Sequence, residues 1–227
     1  MKLFNIAYSI KKLWGMPKLL FLRTCMGHYG KDVVVSLPCR MSMPQNVSMG
    51  DYALIQPNCT FIMNKGKVFV GKWSTIASNC TFITDNHKPT VGINIRMLNR
   101  YFINDIVSDI CIDSDCWIGA GCILLSGASM GRGSIAAAGA LVNKPIPPYA
   151  VVAGVPAKII ATVFSKEQII KHEKCLYPEN ERMSLKELDV LFEKYFEGKK
   201  SIGVEGLSEA DRKKALEHQY MQDSIPE

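Results

Sequence analysis

The stretch Ile112–Val142, IDSDCWIGAGCILLSGASMGRGSIAAAGALV, places an aliphatic side chain at Ile112, Ile118, Leu124, Met130, Ala136 and Val142, one every six residues. A helix brings apolar residues round every three to four positions and a half-buried strand every second one, so a period of six belongs to neither. Repetition at a fixed short period is the mark of a solenoid, in which each repeat buries its apolar face against its neighbours. The same beat runs upstream through Leu37, Met43, Met49, Ile55 and Phe61, and then, after a three-residue shift of phase, through Val70, Ile76 and Phe82.

Four residues after most beat positions stands something small: Ala53, Cys59, Ser74, Cys80, Cys116, Cys122, Ala128, Ser134 and Ala140. Gly50, Gly71, Gly119 and Gly131 each follow directly behind a beat residue, where glycine is expected to supply the positive φ of a tight corner. The economical arrangement is a three-sided prism of very short parallel strands. Each face takes one hexapeptide, the aliphatic residue points to the axis, and the small residue packs beside the corner.

With 227 residues, 48% of them hydrophobic, the chain has room for one such domain with appendages. Residues 1–30 read as a basic helical N-terminal segment, 31–163 as the solenoid and 164–227 as a helical tail. In the tail, Ser165 with Gln168, Ser184 with Glu187 and Ser208 with Asp211 have the spacing of helix-capping pairs. Pro178 and Gly198 punctuate between them. The eight cysteines include four at the small core-facing positions, and no C-x-x-C pair occurs. They read as packing residues, not as a disulfide framework or a metal site, which suits a reducing, cytoplasmic setting.

Of the net charge of +6, five positive charges (Lys2, Lys11, Lys12, Lys18 and Arg23) fall in residues 1–23 without an acid. A nucleic-acid protein would spread a basic face over a folded domain, so that class is disfavoured. No apolar run approaches the roughly 20 residues that span a bilayer. The segment has two readings: a helix capping the open end of the solenoid, or a cationic amphipathic stretch making peripheral contact with the inner membrane surface.

The beat breaks at Asn64-Lys65-Gly66 and again, at length, from Ile83 to Cys111. A long loop leaving a rigid scaffold is where binding and catalysis concentrate. It opens Thr84-Asp85-Asn86-His87-Lys88-Pro89, and His87 is the one histidine of the solenoid region.

These residues resemble the hexapeptide-repeat acyltransferases, whose fold is a left-handed parallel β-helix; the handedness is implied by the resemblance alone. The run from Asn58-Cys59-Thr60 through Val70-Gly71 to Thr84–Pro89 is similar to the maltose and galactoside O-acetyltransferases and to the related xenobiotic acetyltransferases. Trp117-Ile118-Gly119-Ala120-Gly121, Ala138–Lys144, Pro147-Pro148 and Gly154-Val155-Pro156-Ala157-Lys158 resemble the family's closing coils.

The resemblance implies His87 as the general base, with Asn58 contacting the acceptor. Asn58 reads equally well as a corner asparagine satisfying backbone groups, and Asp85 either serves the substrate side by orienting His87 or is an exposed loop aspartate. The resemblance also implies acetyl-CoA as co-substrate, lying between two subunits of a homotrimer. Its arm would run by Trp117, Ala120 and Ala138, with Lys144 and Lys158 facing its phosphates. Against these roles stand plain packing for the alanines and solvated charge for the lysines. Relatives often carry a basic residue where Ala161 stands.

The function so implied is acetyl-CoA-dependent O-acetyl transfer to a sugar or glycan precursor, in modification of a surface polysaccharide. The alternatives are a xenobiotic (antibiotic) acetyltransferase and, from another class, a non-catalytic solenoid scaffold. Serine acetyltransferase needs a large helical domain ahead of its solenoid, for which 30 residues leave no room. The γ-carbonic anhydrases need three zinc-binding histidines, so no metal is expected.

Overall fold

The computed structural model describes residues 20–217, which divide into two compact units, 20–158 and 159–217. In the first unit three parallel sheets run side by side in the order of the chain. One face is built from His28–Tyr29, Val47–Met49, Val68–Val70, Ile110–Ile112, Ser129–Met130 and Pro145–Ile146. The second face takes Val34–Val35, Leu54–Ile55, Thr75–Ile76, Trp117–Ile118, Ile135–Ala136 and Ala150–Ala153. Arg40–Met41, Thr60–Ile62, Thr81–Ile83, Ile123–Leu125 and Leu141–Val142 make the third.

The register follows the beat. Ile55 pairs with Ile76, Ile76 with Ile118 and Ile118 with Ala136, so equivalent side chains stack along the axis. Met49, Ile55, Phe61, Ile76, Phe82, Ile118, Leu124, Met130, Ala136 and Val142 are all buried, as is every small residue at the corners. The thiols work as donors there: Cys59 Sγ bonds to Ala77 O at 3.2 Å, Cys80 Sγ to Gly119 O at 3.2 Å and Cys122 Sγ to Ala137 O at 3.1 Å. Burial pushes the Cys116 thiol up to about 12, so it stays protonated and donates to Gly131 O.

Two expectations need correction. Leu37 and Met43 are not core positions; Val35 pairs with Ile55 and Met41 with Phe61. The turn Pro44–Asn46 lengthens the corner between the first and second coils, which puts the first coil out of step. Gly50, Gly71, Gly119 and Gly131 do not have positive φ either. The left-handed residue of each of these corners comes two positions later, at Tyr52, Trp73, Gly121 and Gly133.

What the four glycines answer is the close approach of the next coil. A Cβ on Gly50 would stand 2.8 Å from Lys72 N, on Gly119 2.6 Å from Ala138 N, and on Gly71 2.5 Å from Ser114 N. Backbone cannot yield as a flexible side chain can. Gly71→Ala is therefore expected to destabilise the protein by roughly 1–3 kcal/mol, the usual cost of overpacking, read as a lower denaturant midpoint at unchanged slope. A neutral result would mean that the coils are not held at this spacing.

At the N-terminal end residues 20–25 are helical, and Leu22 and Met26 are buried. Phe21 and Leu22 border a cavity of about 650 Å³ with Leu37, Cys39, Met41 and Phe61. The cap and membrane readings of the basic segment rest mainly on residues 1–19, which lie outside the described residues. No helix among the described residues is long and apolar enough to cross a membrane.

The second unit is small and mostly helical. Its helices Lys166–Leu176 and Leu185–Leu191 both start with the expected capping boxes, from Ser165 with Gln168 and Ser184 with Glu187. Ser208 Oγ accepts from Asp211 N at 3.1 Å at the start of the helix Glu209–Glu217. Ile169, Tyr177, Leu188, Leu191 and Phe196 are buried, and the buried Glu173 carboxylate accepts from Met183 N.

Candidate active site

Among the described residues the longest interruption of the coils is the loop that leaves the third face. After Thr81–Ile83 the chain turns outward as the strand Asp85–His87, runs through a capped helix at Ile95–Tyr101, and returns as Asp105–Val107. The two short strands pair antiparallel, with Asp85 opposite Val107 and His87 opposite Asp105. Directly paired residues put their side chains on the same side of a ribbon. His87 Nδ1 lies 2.7 Å from Asp105 Oδ1, with the aspartate side chain 6% exposed and the histidine side chain 30% exposed.

A carboxylate accepts and does not donate, so the proton of the neutral imidazole sits on Nδ1 and leaves Nε2 as the basic nitrogen. The dyad has a buried anchor and an accessible working end. Asp105 stands eighteen residues from His87 within what reads in sequence as undifferentiated loop. The available signal was the extended triplet Asp105-Ile106-Val107, able to pair with Asp85-Asn86-His87.

Asp85 is not the residue that orients His87. Its carboxylate accepts from Asn64 N at 2.9 Å, from Lys65 N at 3.1 Å and from the Thr84 hydroxyl. Burial would raise its pKa, but these donors, with Gly66 N–H, outweigh it and hold the carboxyl below its ordinary value. Asp109 does the same at the loop's other end, accepting from Lys67 N at 2.8 Å. Both ends are thereby tied to the corner at 64–67, which fixes the root of the dyad.

The other expected residues divide between two edges of the prism. Between the second and third faces, corner amides form a ladder: Asn58 N to Pro38 O, Asn79 N to Pro57 O, Gly121 N to Ser78 O and Gly139 N to Ala120 O. Asn58 has φ 66° there, a conformation asparagine tolerates; its local role is that of a corner residue. Ala120 and Ala138 are exposed on this edge, and their amide N–H groups take part in no hydrogen bond among the described residues. Trp117 lies just before it, 56% exposed on the second face. Lys158, exposed, ends the unit beyond this edge.

His87, Asp105 and the exposed Lys144 belong instead to the edge between the third and first faces. The outward side of the intervening face is mostly apolar, carrying Ile62, Ile83, Ile123, Leu125 and Leu141 with Thr60 and Thr81 among them, between the two edges. A face of one hexapeptide is roughly 20 Å across at about 3.3 Å per residue. One chain thus keeps its dyad and its small-residue edge apart. No group of histidine, cysteine and acidic residues able to hold a metal is found among the described residues.

No protein-family model matches the chain. Over 53 residues it is 49% identical to a 2,3,4,5-tetrahydropyridine-2,6-dicarboxylate N-acetyltransferase from Staphylococcus aureus, a match covering 23% of this chain and 22% of that protein's length. Among solved structures, a hexapeptide-repeat-containing acetyltransferase from Vibrio cholerae superposes with a TM-score of 0.59 at 25% identity, over 66% of this chain and 81% of that one; it has also been solved with acetyl-CoA. A maltose O-acetyltransferase from Clostridium difficile gives 0.55 at 27% identity, over 63% and 73%. Six-residue period, stacked coils and these likenesses agree, and the chain is a left-handed parallel β-helix protein that resembles the hexapeptide-repeat acyltransferases.

Proposed function

We propose that the protein is an acetyl-CoA-dependent O-acetyltransferase acting on a hydroxyl of a sugar or glycan precursor, with His87 as general base. The observation that carries the reading is the His87–Asp105 pair, at 2.7 Å with the imidazole partly open to solvent, on a scaffold shared with acetyltransferases. Nε2 takes the acceptor hydroxyl proton as the oxygen attacks the thioester carbonyl carbon. The C–S bond then breaks, and the imidazolium returns its proton to the departing sulfur. Asp105 holds the ring in the tautomer that leaves Nε2 free and stabilises the transient positive charge.

Acetyl-CoA fits the edge at Ala120 and Ala138, where the side chains are too small to screen two unengaged N–H donors from an extended arm. Lys158 and Lys144 lie on different edges, so their facing the phosphates of one molecule requires two chains. The same holds for His87 and the small-residue edge. A homotrimer in which the apolar third face meets a neighbouring copy supplies both, and it covers Ile95, Tyr101 and Phe102, which lie exposed on the loop.

Calorimetric titration tests the donor directly. Saturable binding of acetyl-CoA, weaker for dephospho-CoA than for CoA, is expected; no detectable binding to the folded protein would make it a scaffold.

A further inference from the structure

Beside the dyad is an open cavity of about 510 Å³, whose lining includes Lys88, Thr90, Val91, Asn104, Asp105 and Ile106. Thr90 Oγ1 accepts from Asn104 Nδ2 at 3.1 Å and donates to Lys88 O at 3.0 Å. That leaves the Asn104 carbonyl oxygen and one amide hydrogen for a bound hydroxyl. Asn104 is held in the left-handed region at φ 54°, directly before the aspartate of the dyad. Val91 and Ile106 add exposed apolar surface against which the C–H side of a sugar ring can rest.

The accessible charge of this cavity is that of Lys88, because the Asp105 carboxylate, though ionised, is 6% exposed and turned to His87 Nδ1. Lys88 is exposed and forms no ion pair among the described residues. The segment 88–104 contains Lys88, Arg96 and Arg100 and not one acid. Asp85, the nearest acid before it in the chain, is spent on the amides of the 64–67 corner. A neutral sugar would gain nothing from this ammonium, whereas an anionic one would pair with it.

We infer that this cavity is the acceptor subsite and that Lys88 selects an acceptor bearing a negative group, a hexuronate or a sugar phosphate. The inference rests on the acetyltransferase reading and narrows its substrate class. Because Lys88 is solvent-exposed, the preference is modest, roughly twofold to fivefold, as for a single surface ion pair. It weakens as salt screens the pair.

The test compares acetyl transfer to glucuronate against glucose, to galacturonate against galactose, and to glucose 6-phosphate, measured as thiol release from acetyl-CoA. The anionic partner is expected to be favoured through KM, and whichever of carboxylate or phosphate is the better acceptor names the source of the charge. Lys88→Gln should abolish the preference and Lys88→Arg should retain it. Equal use of neutral and anionic sugars by the wild type overturns the inference, as does a Lys88→Gln effect on kcat for both alike. If wild-type protein binds acetyl-CoA but acetylates none of these sugars, the acceptor assignment falls and the donor reading stands. If it does not bind acetyl-CoA, both fall.

Discussion

His87→Ala is expected to lower kcat by roughly 10²–10⁴-fold, the range over which a positioned general base acts, while leaving acetyl-CoA affinity and oligomeric state as they are. The effect belongs to the transition state, because an uncharged hydroxyl can bind without a base but cannot attack well without losing its proton. Asp105→Asn should cost up to about 10⁴-fold, because an amide can hold the imidazole in the wrong tautomer. It keeps the side chain's shape but removes the charge that stabilises the imidazolium. The double variant should be scarcely worse than His87→Ala alone, since the carboxylate acts only through the ring. Steady-state thiol release decides the matter: turnover by His87→Ala within a few-fold of wild type would take the dyad out of the mechanism.

The solenoid was legible in the sequence because its coils repeat one physical requirement. Each hexapeptide has to put an aliphatic side chain on the axis and something small at the corner, so Ile55, Ile76, Ile118 and Ala136 identify their own stacking partners. The first coil departs from the beat where Pro44–Asn46 lengthens a corner, because two added residues move the beat without disturbing its look. The glycines behind the beat were correctly seen as necessary, but the reason is the next coil's backbone and not the φ angle.

The site was legible only in part, for a related reason. His87 could be found as the histidine at the root of the long loop, by local position. Asp105 meets it through a pairing that spans a helix, and no periodicity marks such a contact. Asp85, two residues away in sequence, reads either as the orienting partner or as an exposed loop aspartate; alternation would place Asp85 and His87 on the same side of a strand. It is drawn off by the amides at Asn64 and Lys65. Proximity in sequence lost to the unsatisfied backbone donors of the preceding coil, which a buried corner has to match.

Phe82→Ala should be the most damaging single truncation in the solenoid, destabilising it by about 3–5 kcal/mol. Phe82 is fully buried and stacks on Phe61 with ring centroids 4.5 Å apart and planes 10° from parallel. Truncation removes both the buried area and the stacking partner of Phe61. Neighbouring coils cannot close on the void without breaking the ladder that joins Thr60–Ile62, Thr81–Ile83 and Ile123–Leu125. Thr81→Ala is the control: its side chain points outward from the same strand, onto the face proposed to meet a neighbouring copy, and the expected change is at most about 1 kcal/mol. Both are read from denaturant midpoints at one fixed protein concentration, because assembly would add a concentration-dependent contribution. Contacts in a solenoid run only between adjacent coils, so the loss at Phe82 cannot be shared across a large core. It falls on the coil from which the chain leaves for His87, and the variant's turnover should decline at temperatures where its overall fold still holds. Equal costs for Phe82→Ala and Thr81→Ala would mean that this strand does not alternate between axis and solvent, and the six-residue reading of the fold would fail with it.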